Sequence, residues 1–597
     1  MGVAPKRVAG SPGRAKLDAP TNTTHLHRSS SFHPRTRARR PDEHHPHQPR
    51  ALTPTTAPRL RPRSPPQTHV LESVSLYPES QLYLPESTVR NMSQLSARQD
   101  DMAPARRWLL LATVASGLFL ITLDNTILYT ALPTLTEELG ATGSQSLWII
   151  NAYPVVMAGL ILGSGTFGDR AGHVRMFVLG LIVFGLASLV AAFSPTASVL
   201  IFSRVLLAVG AAIMMPATLA LIRIIFTRER ERNFAIAIWG SISVIGIAVG
   251  PIVGGALLEF FWWGSVFLLN VPIVLVALAA TLAIAPPNRP DPDKHWDLVS
   301  SLQAMAGLVA GVLAIKEIGH VPPNPWVVAL AVGVAAAAFT LFVRRQRRLP
   351  DPLLDFAIFR NPAFSAGVLT AVLSMFAIGG IQLVTTQRYQ LVAGFTPLES
   401  GLLVAALAAG SLPTALLGGA VLHRTGLLPL IAGGLGVATV GVVTTIAGFH
   451  LSFPVLVAGM VLTGAGLGAA MSVASVAIVG NAPGNRAGMA SAVEEVSYEF
   501  GNLSAVALLG SLLTFVYAAT VQLPAHAPDR AGQSLADALA VVGDDAAVLS
   551  AAYGAFDTAY LVVMVAVSLV LAVGAAGAGR MLRHHGPGSS SQHYVDH

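Results

Sequence analysis

The chain has 597 residues, of which 53% are hydrophobic and only 12% charged, and its mean hydropathy is +0.60. A soluble protein of that size does not carry so much apolar surface, so the chain belongs in a lipid bilayer. With no cysteine it has no disulfide and no thiolate metal site, and its net charge of +7 does not imply nucleic acid, because most arginines lie in the N-terminal tail or in short loops between apolar runs.

Residues 1–105 are rich in Pro, Arg, His, Ser and Thr without apolar periodicity, and are expected to form a disordered cytoplasmic tail. The scattered histidines there are composition, so no metal site is expected, and without an early apolar core the tail is not a secretory signal. It is expected to be dispensable, or absent if translation starts at Met92 or Met102. About fourteen apolar runs follow, from 108–132 to 561–578, each able to cross a hydrocarbon core that takes roughly 20 helical residues. Arginines gather at alternate connections: Arg106 and Arg107, Arg170 and Arg175, Arg228 to Arg232, Arg289 with Lys294, Arg344 to Arg348, Arg424, Arg486, and Arg580 with Arg583. The opposite connections hold little beyond Arg388 and Arg530. Both termini are therefore expected in the cytoplasm, in a multi-pass protein of the plasma membrane. One outer connection, 521–553, is long and contains an amphipathic stretch from Ser534 to Ala540. It is either a hairpin on the outer mouth or a solvated loop.

Several stretches carry more than hydropathy. In the fifth run, Gly246, Gly250, Gly254 and Gly255 leave a face without side chains, and Pro251 withholds one helical hydrogen bond. Small residues four apart also mark ordinary helix packing in lipid. With the added Gly-Pro, however, the stretch resembles the fifth-helix antiporter motif of drug exporters in the major facilitator superfamily. After the second run, Gly165, Asp169, Arg170, Gly172 and Arg175 are expected to make a tight turn with a charge latch, and closely resemble that superfamily's loop motif. A weaker echo at Gly418 to Gly426 aligns Arg424 with Arg170 and Gly426 with Gly172, as an internal repeat would. Arg204 lies inside the fourth run, where a charge costs roughly 2.5–3.5 kcal/mol on insertion scales and is normally kept for function or paired. It resembles the fourth-helix motif linked to proton transfer.

Asp124 is the only acid of the first run, in a stretch that matches the first-helix motif of fourteen-span drug/proton antiporters. The thirteenth run carries Glu494, Glu495 and Glu499. Glu495 and Glu499 share a helix face, and Glu494 is turned away and read as lying near the wet end. That run and the stretch from Trp262 through Asn270 to Pro272 resemble exporters of quaternary ammonium compounds and cationic dyes. The tenth run has Gly410 and Ser411 where some relatives carry an acid.

The resemblance covers nearly everything after Arg106. It implies an all-α major facilitator fold: a six-helix bundle at 106–285, two extra central helices at 286–350, a second six-helix bundle at 351–580 that includes the outer loop, and a disordered tail at 581–597. It also implies a proton-coupled multidrug antiporter, not an enzyme, without a cofactor and driven by the proton gradient. Its partners would be small lipophilic cations, protons and the bilayer, with no nucleic acid. A proton symporter or a lipid exporter on the same fold is the nearest alternative. An integral membrane enzyme is the distant one, since the acids lie in spans and no catalytic constellation faces a loop.

Overall fold

The structure is a computed structural model and describes residues 103–585 apart from 289, 292–296, 319–322, 350–351, 483–486 and 544. The histidine-rich tail, Arg289, Lys294, Arg486, the Asp169 side chain and residues 586–597 lie outside the described residues.

Among the described residues, fourteen helices are long and apolar enough to cross a membrane. The first six are α1 (Pro104–Glu138), α2 (Gly143–Ala171), α3 (His173–Ala192), α4 (Ala197–Ile225), α5 (Glu229–Phe260) and α6 (Ser265–Ile284). Then come α7 (Leu298–Ile318), α8 (Pro325–Gln346), α9 (Pro362–Leu391) and α10 (Pro397–Thr425). The last four are α11 (Pro429–Leu451), α12 (Phe453–Val479), α13 (Met489–Thr520) and α14 (Ala546–Met581).

Local chemistry sets the ends of these helices, and it repeats between the halves. Thr142 and Thr396 each open a helix with a reciprocal capping box, to Gln145 in α2 and Glu399 in α10. At the other ends of the same two helices stand Gly172 (φ 90°) and Gly426 (φ 78°), a backbone region that disfavours any side chain. Each of these glycine N–H groups donates to the carbonyl four residues back, Gly168 or Leu422, at 2.8 Å. The faint sequence echo is therefore a shared helix-ending device. The turn expected over 165–175 is shorter than the motif suggests: α2 stays helical through Ala171, Gly165 is an ordinary helical residue, and Gly172 makes the reversal. Asn288 sits on that glycine, donating to Ala171 O (2.9 Å) and accepting from Arg175 N (3.2 Å).

Two cores organise the helices. One is built from α1–α6 around residues such as Leu118, Tyr153, Phe177 and Phe184, and the other from α9–α14 around Ile431, Leu467, Tyr560 and Leu571. Of the extra pair α7/α8, α7 lies against both, because its Leu308 and Val312 cluster with Val155 and Ala158 of α2 and with Leu503 and Ala507 of α13. A bidentate Asp297–Arg345 pair (2.9 Å) ties the extra pair at the arginine-rich end, and Lys316 Nζ donates to Ser144 O (2.6 Å) at the opposite end. Desolvation opposes the charge on Asp297, but hydrogen bonds from Arg345 and Ser300 hold its carboxyl below the usual range.

The long connection between α13 and α14 is a folded cap rather than a solvated loop. It contains a 3₁₀ turn (Asp529–Gly532) and a short cap helix (Leu535–Val542). Ala531, Leu535 and Ala538 are buried in the second core, and the Tyr517 hydroxyl donates to Ala531 O at 2.9 Å. Two wide π turns interrupt the ordinary winding, Pro429–Gly433 at the start of α11 and Ala505–Leu509 within α13.

Candidate transport site

Asp124 and Arg204, both buried to within a few per cent, form an ion pair between α1 and α4. Asn270 of α6 donates to Asp124 Oδ1 (3.0 Å) and to Ser188 Oγ (3.2 Å). Arg204 also donates to Ile149 O and to Asn125 Oδ1, each at 3.2 Å, and its guanidinium lies 4.6 Å from the centre of the Tyr153 ring. Two buried charges tolerate low dielectric only when paired and hydrogen-bonded in this way. The intramembrane partner of Arg204, which the sequence leaves open, is thus Asp124. In this conformation Asp124 is engaged and does not stand open as a cation anchor.

The three acids of α13 have separate surroundings. Glu494 is buried, not at a wet end: it accepts from Ser475 Oγ (3.1 Å) and from the Tyr498 hydroxyl (3.0 Å), within the second bundle. Its place along the helix suggested water, but its direction around the helix points it at α12. Glu495 and Glu499 lie on the other side. Val496, between them, packs against the first core, and Leu503, one turn beyond Glu499, packs against α2. Glu499 Oε2 is buried with no hydrogen-bond partner among the described residues. Its carboxyl is within electrostatic reach of Arg204, Tyr129 and Tyr153 across the boundary between bundles. Three residues further on, Asn502 accepts a hydrogen bond from Tyr129 of α1 across the same boundary.

The glycine motif of α5 divides between two contacts. Gly246, Gly250 and Gly254 face α1 inside the first bundle, where a Cβ would overlap Thr122 and Thr126 and press closely on Ile127, residues on either side of Asp124. Gly255 and the Pro251 carbonyl face α10 of the second bundle, against Leu398 and Gly401. The stripe is therefore a packing contact on one side and a contact between bundles on the other. Gly250→Leu should accordingly lower thermal stability by about 1–3 kcal/mol through overpacking, as well as abolish transport. Pro251→Ala should leave stability nearly unchanged. Equal melting of Gly250→Leu and the parent in detergent would contradict this assignment.

Two further features bear on the site. Gly410 of α10 packs directly on the Val461 carbonyl of α12, so no side chain fits there. Among the described residues no group of His, Asp and Glu side chains could hold a metal ion. Asn270 belongs to the stretch from Trp262 to Pro272 that the sequence marks, though its contact with Asp124 does not follow from that stretch. Tyr153, Ser475 and Gly401 carry no motif and give no signal before the fold is known.

Helices of this number and pairing, arranged around polar groups buried between two bundles, define a membrane transporter of the two-bundle type. The model of the Major Facilitator Superfamily matches residues 114–502. The chain belongs to that superfamily. It is similar to the methyl viologen resistance protein SmvA of Salmonella typhimurium, at 35% identity over 79% of this chain and 97% of the relative. It is also similar to the multidrug efflux pump LfrA of Mycolicibacterium smegmatis, at 37% identity over 79% of this chain and 96% of the relative. Among solved structures, a bacterial homologue of the human lysosomal transporter Spinster shares the fold, with a TM-score of 0.58 and 17% identity over 81% of this chain and 98% of that one.

Proposed function

We propose that the chain is a proton-coupled multidrug efflux antiporter of the plasma membrane, with both termini in the cytoplasm, that exports lipophilic cations. The names of its relatives support drug export, and the arginine-rich ends support the orientation. The observation that carries the coupling is Glu499, a carboxyl buried between the bundles with an unpartnered oxygen and an arginine within reach.

The geometry supports a simple exchange. With Arg204 held by Asp124, Glu499 and Glu495 are free to receive a cation from the arginine-rich side. The opposite end is packed shut by Gly255 against Leu398, by Gly401 against Pro251, and by a hydrogen bond from Gln390 Nε2 to Thr130 O (3.0 Å). Once that end opens, a proton arriving at Asp124 releases Arg204, which can then neutralise Glu499 and expel the cation. Burial favours the neutral form of a carboxyl and a bound cation favours the ionised form, so proton and cation exclude each other reciprocally. A proton crossing roughly 100 mV releases about 2.3 kcal/mol, and about 1.4 kcal/mol sustains a tenfold gradient, so the proton gradient needs no cofactor beside it.

Proton release from weakly buffered purified protein on adding tetraphenylphosphonium tests this reading. The parent should release protons and Glu499→Gln clearly fewer. A parent that releases none, or a variant that releases as many, would remove Glu499 from the exchange. In cells, dye efflux should stop on adding an uncoupler, and uncoupler-resistant efflux would refute proton coupling.

A further inference from the structure

A cavity of about 610 Å³ lies far from the acids just described, at the arginine-poor end beneath the cap. Its floor and walls are Leu132 and Pro133 of α1, Leu147 of α2 and Leu513 of α13, and Leu535 and Leu539 of the cap helix form its roof. Both bundles therefore contribute. Measured along α13, Leu513 is fourteen residues from Glu499, or roughly 20 Å at helical rise, so the chamber is a separate place. Its volume is that of a pocket for a drug-sized molecule.

Two acidic residues line this largely apolar chamber, Glu137 at an exposed position and Asp537 in the wall. Glu137 has no ion-pair partner among the described residues. Asp537 is fixed from the cap: Ser534 Oγ donates to its Oδ2 (2.5 Å), while its own N–H donates back to Ser534 Oγ (3.1 Å). Arg530 pairs with the remaining oxygen at 3.1 Å, but the two side chains are unequally held. Asp537 is 13% exposed and Arg530 56%. The carboxylate is thus built into the wall, and the guanidinium stands at its rim with free access to water.

We infer that this chamber is a second binding site for an exported organic cation, and that Arg530 is a tethered cation that discharges it. Apolar walls with two carboxylates suit a lipophilic cation, repel an anion, and give a neutral solute no use for the charges. A cation arriving from the centre displaces Arg530 from Asp537, and the return of Arg530 expels it outward. The inference rests on cation export as the function, but the site can be tested without transport.

Because the native chain has no cysteine, a single Leu539→Cys substitution reports the chamber directly. The full chain in nanodiscs is labelled with N-ethylmaleimide in the presence of tetraphenylphosphonium, with tetraphenylborate as the anion of matching shape. The phosphonium should slow labelling and the borate should not. In that background, Glu137→Gln with Asp537→Asn should raise the protecting concentration about fivefold, and Arg530→Ala should lower it about two- to fivefold, the range expected for an exposed ion pair. Arg530→Lys keeps the competitor, so its value should stay near the parent's and control for damage to the cap. Glu499→Gln should lose transport yet keep protection, which separates this site from the central one. Equal protection by the borate, an Arg530→Ala value at or above the parent's, or loss of protection in Glu499→Gln would each overturn the inference.

Discussion

Asp124→Asn is expected to abolish exchange and also to weaken the protein. The amide leaves Arg204 buried without its counter-charge, and breaking such a pair by removing one partner costs about 3–5 kcal/mol. Asn270 cannot compensate, because its side chain is a neutral amide and supplies no counter-charge. The informative variant is therefore the double one. Asp124→Asn with Arg204→Gln removes both charges and keeps most of the shape, so it should recover most of the lost stability while transport remains absent. Melting of the purified variants and dye efflux from cells together decide the matter. If the double variant transports, the pair is only structural; if it melts like the single variant, the cost does not arise from the unpaired charge.

Gly401→Leu should block turnover as completely, by a different route. Gly401 meets the Pro251 carbonyl of the other bundle, and a side chain there would overlap it. The three atoms nearest to a Cβ there all belong to that other bundle, so the variant should fold and melt nearly as the parent does. It should be unable to close the arginine-poor end and should accumulate open to the outside. A cysteine at Thr130, whose carbonyl accepts from Gln390 in the closed arrangement, would then react with an impermeant maleimide several times faster than in the parent. Unchanged reactivity with normal efflux would show that the contact is incidental. Gly401→Ala, with a smaller side chain at the same place, should fall between the two.

How much of this was legible in the sequence follows from the range of each interaction. Apolar runs and alternating arginines are local, and fourteen helices followed from them directly. Helix-ending glycines are also local, which is why Gly172 and Gly426 could be aligned before either had a conformation. The pairing of Asp124 with Arg204 joins residues 80 positions apart, and Asn270 reaches Asp124 across 146. Each could be marked as costly in lipid, but nothing in the spacing of spans says which two will meet. Glu494 shows a second limit. Counting residues measures depth along a helix, while its burial against Ser475 depends on which neighbour stands on that side. The cap shows a third, for its amphipathic stretch was visible but the hydroxyl of Tyr517 that fastens it belongs to another element.

The wide turn at Ala505–Leu509 gives α13 two independently set faces. Toward the arginine-rich end Glu499 and Leu503 look toward the first bundle, and beyond the turn Leu509, Leu513 and Tyr517 pack into the second. An α-helix advances about 100° per residue, so deleting one residue from this turn would swing one half against the other by roughly that angle. Length, hydropathy and every acidic residue would survive the deletion. The carboxylates would nonetheless leave the boundary between bundles, or the cap would lose its footing. In this helix the number of residues between two side chains matters as much as their identity, and a relative that keeps all three glutamates but differs by one residue here would present them to a different neighbour.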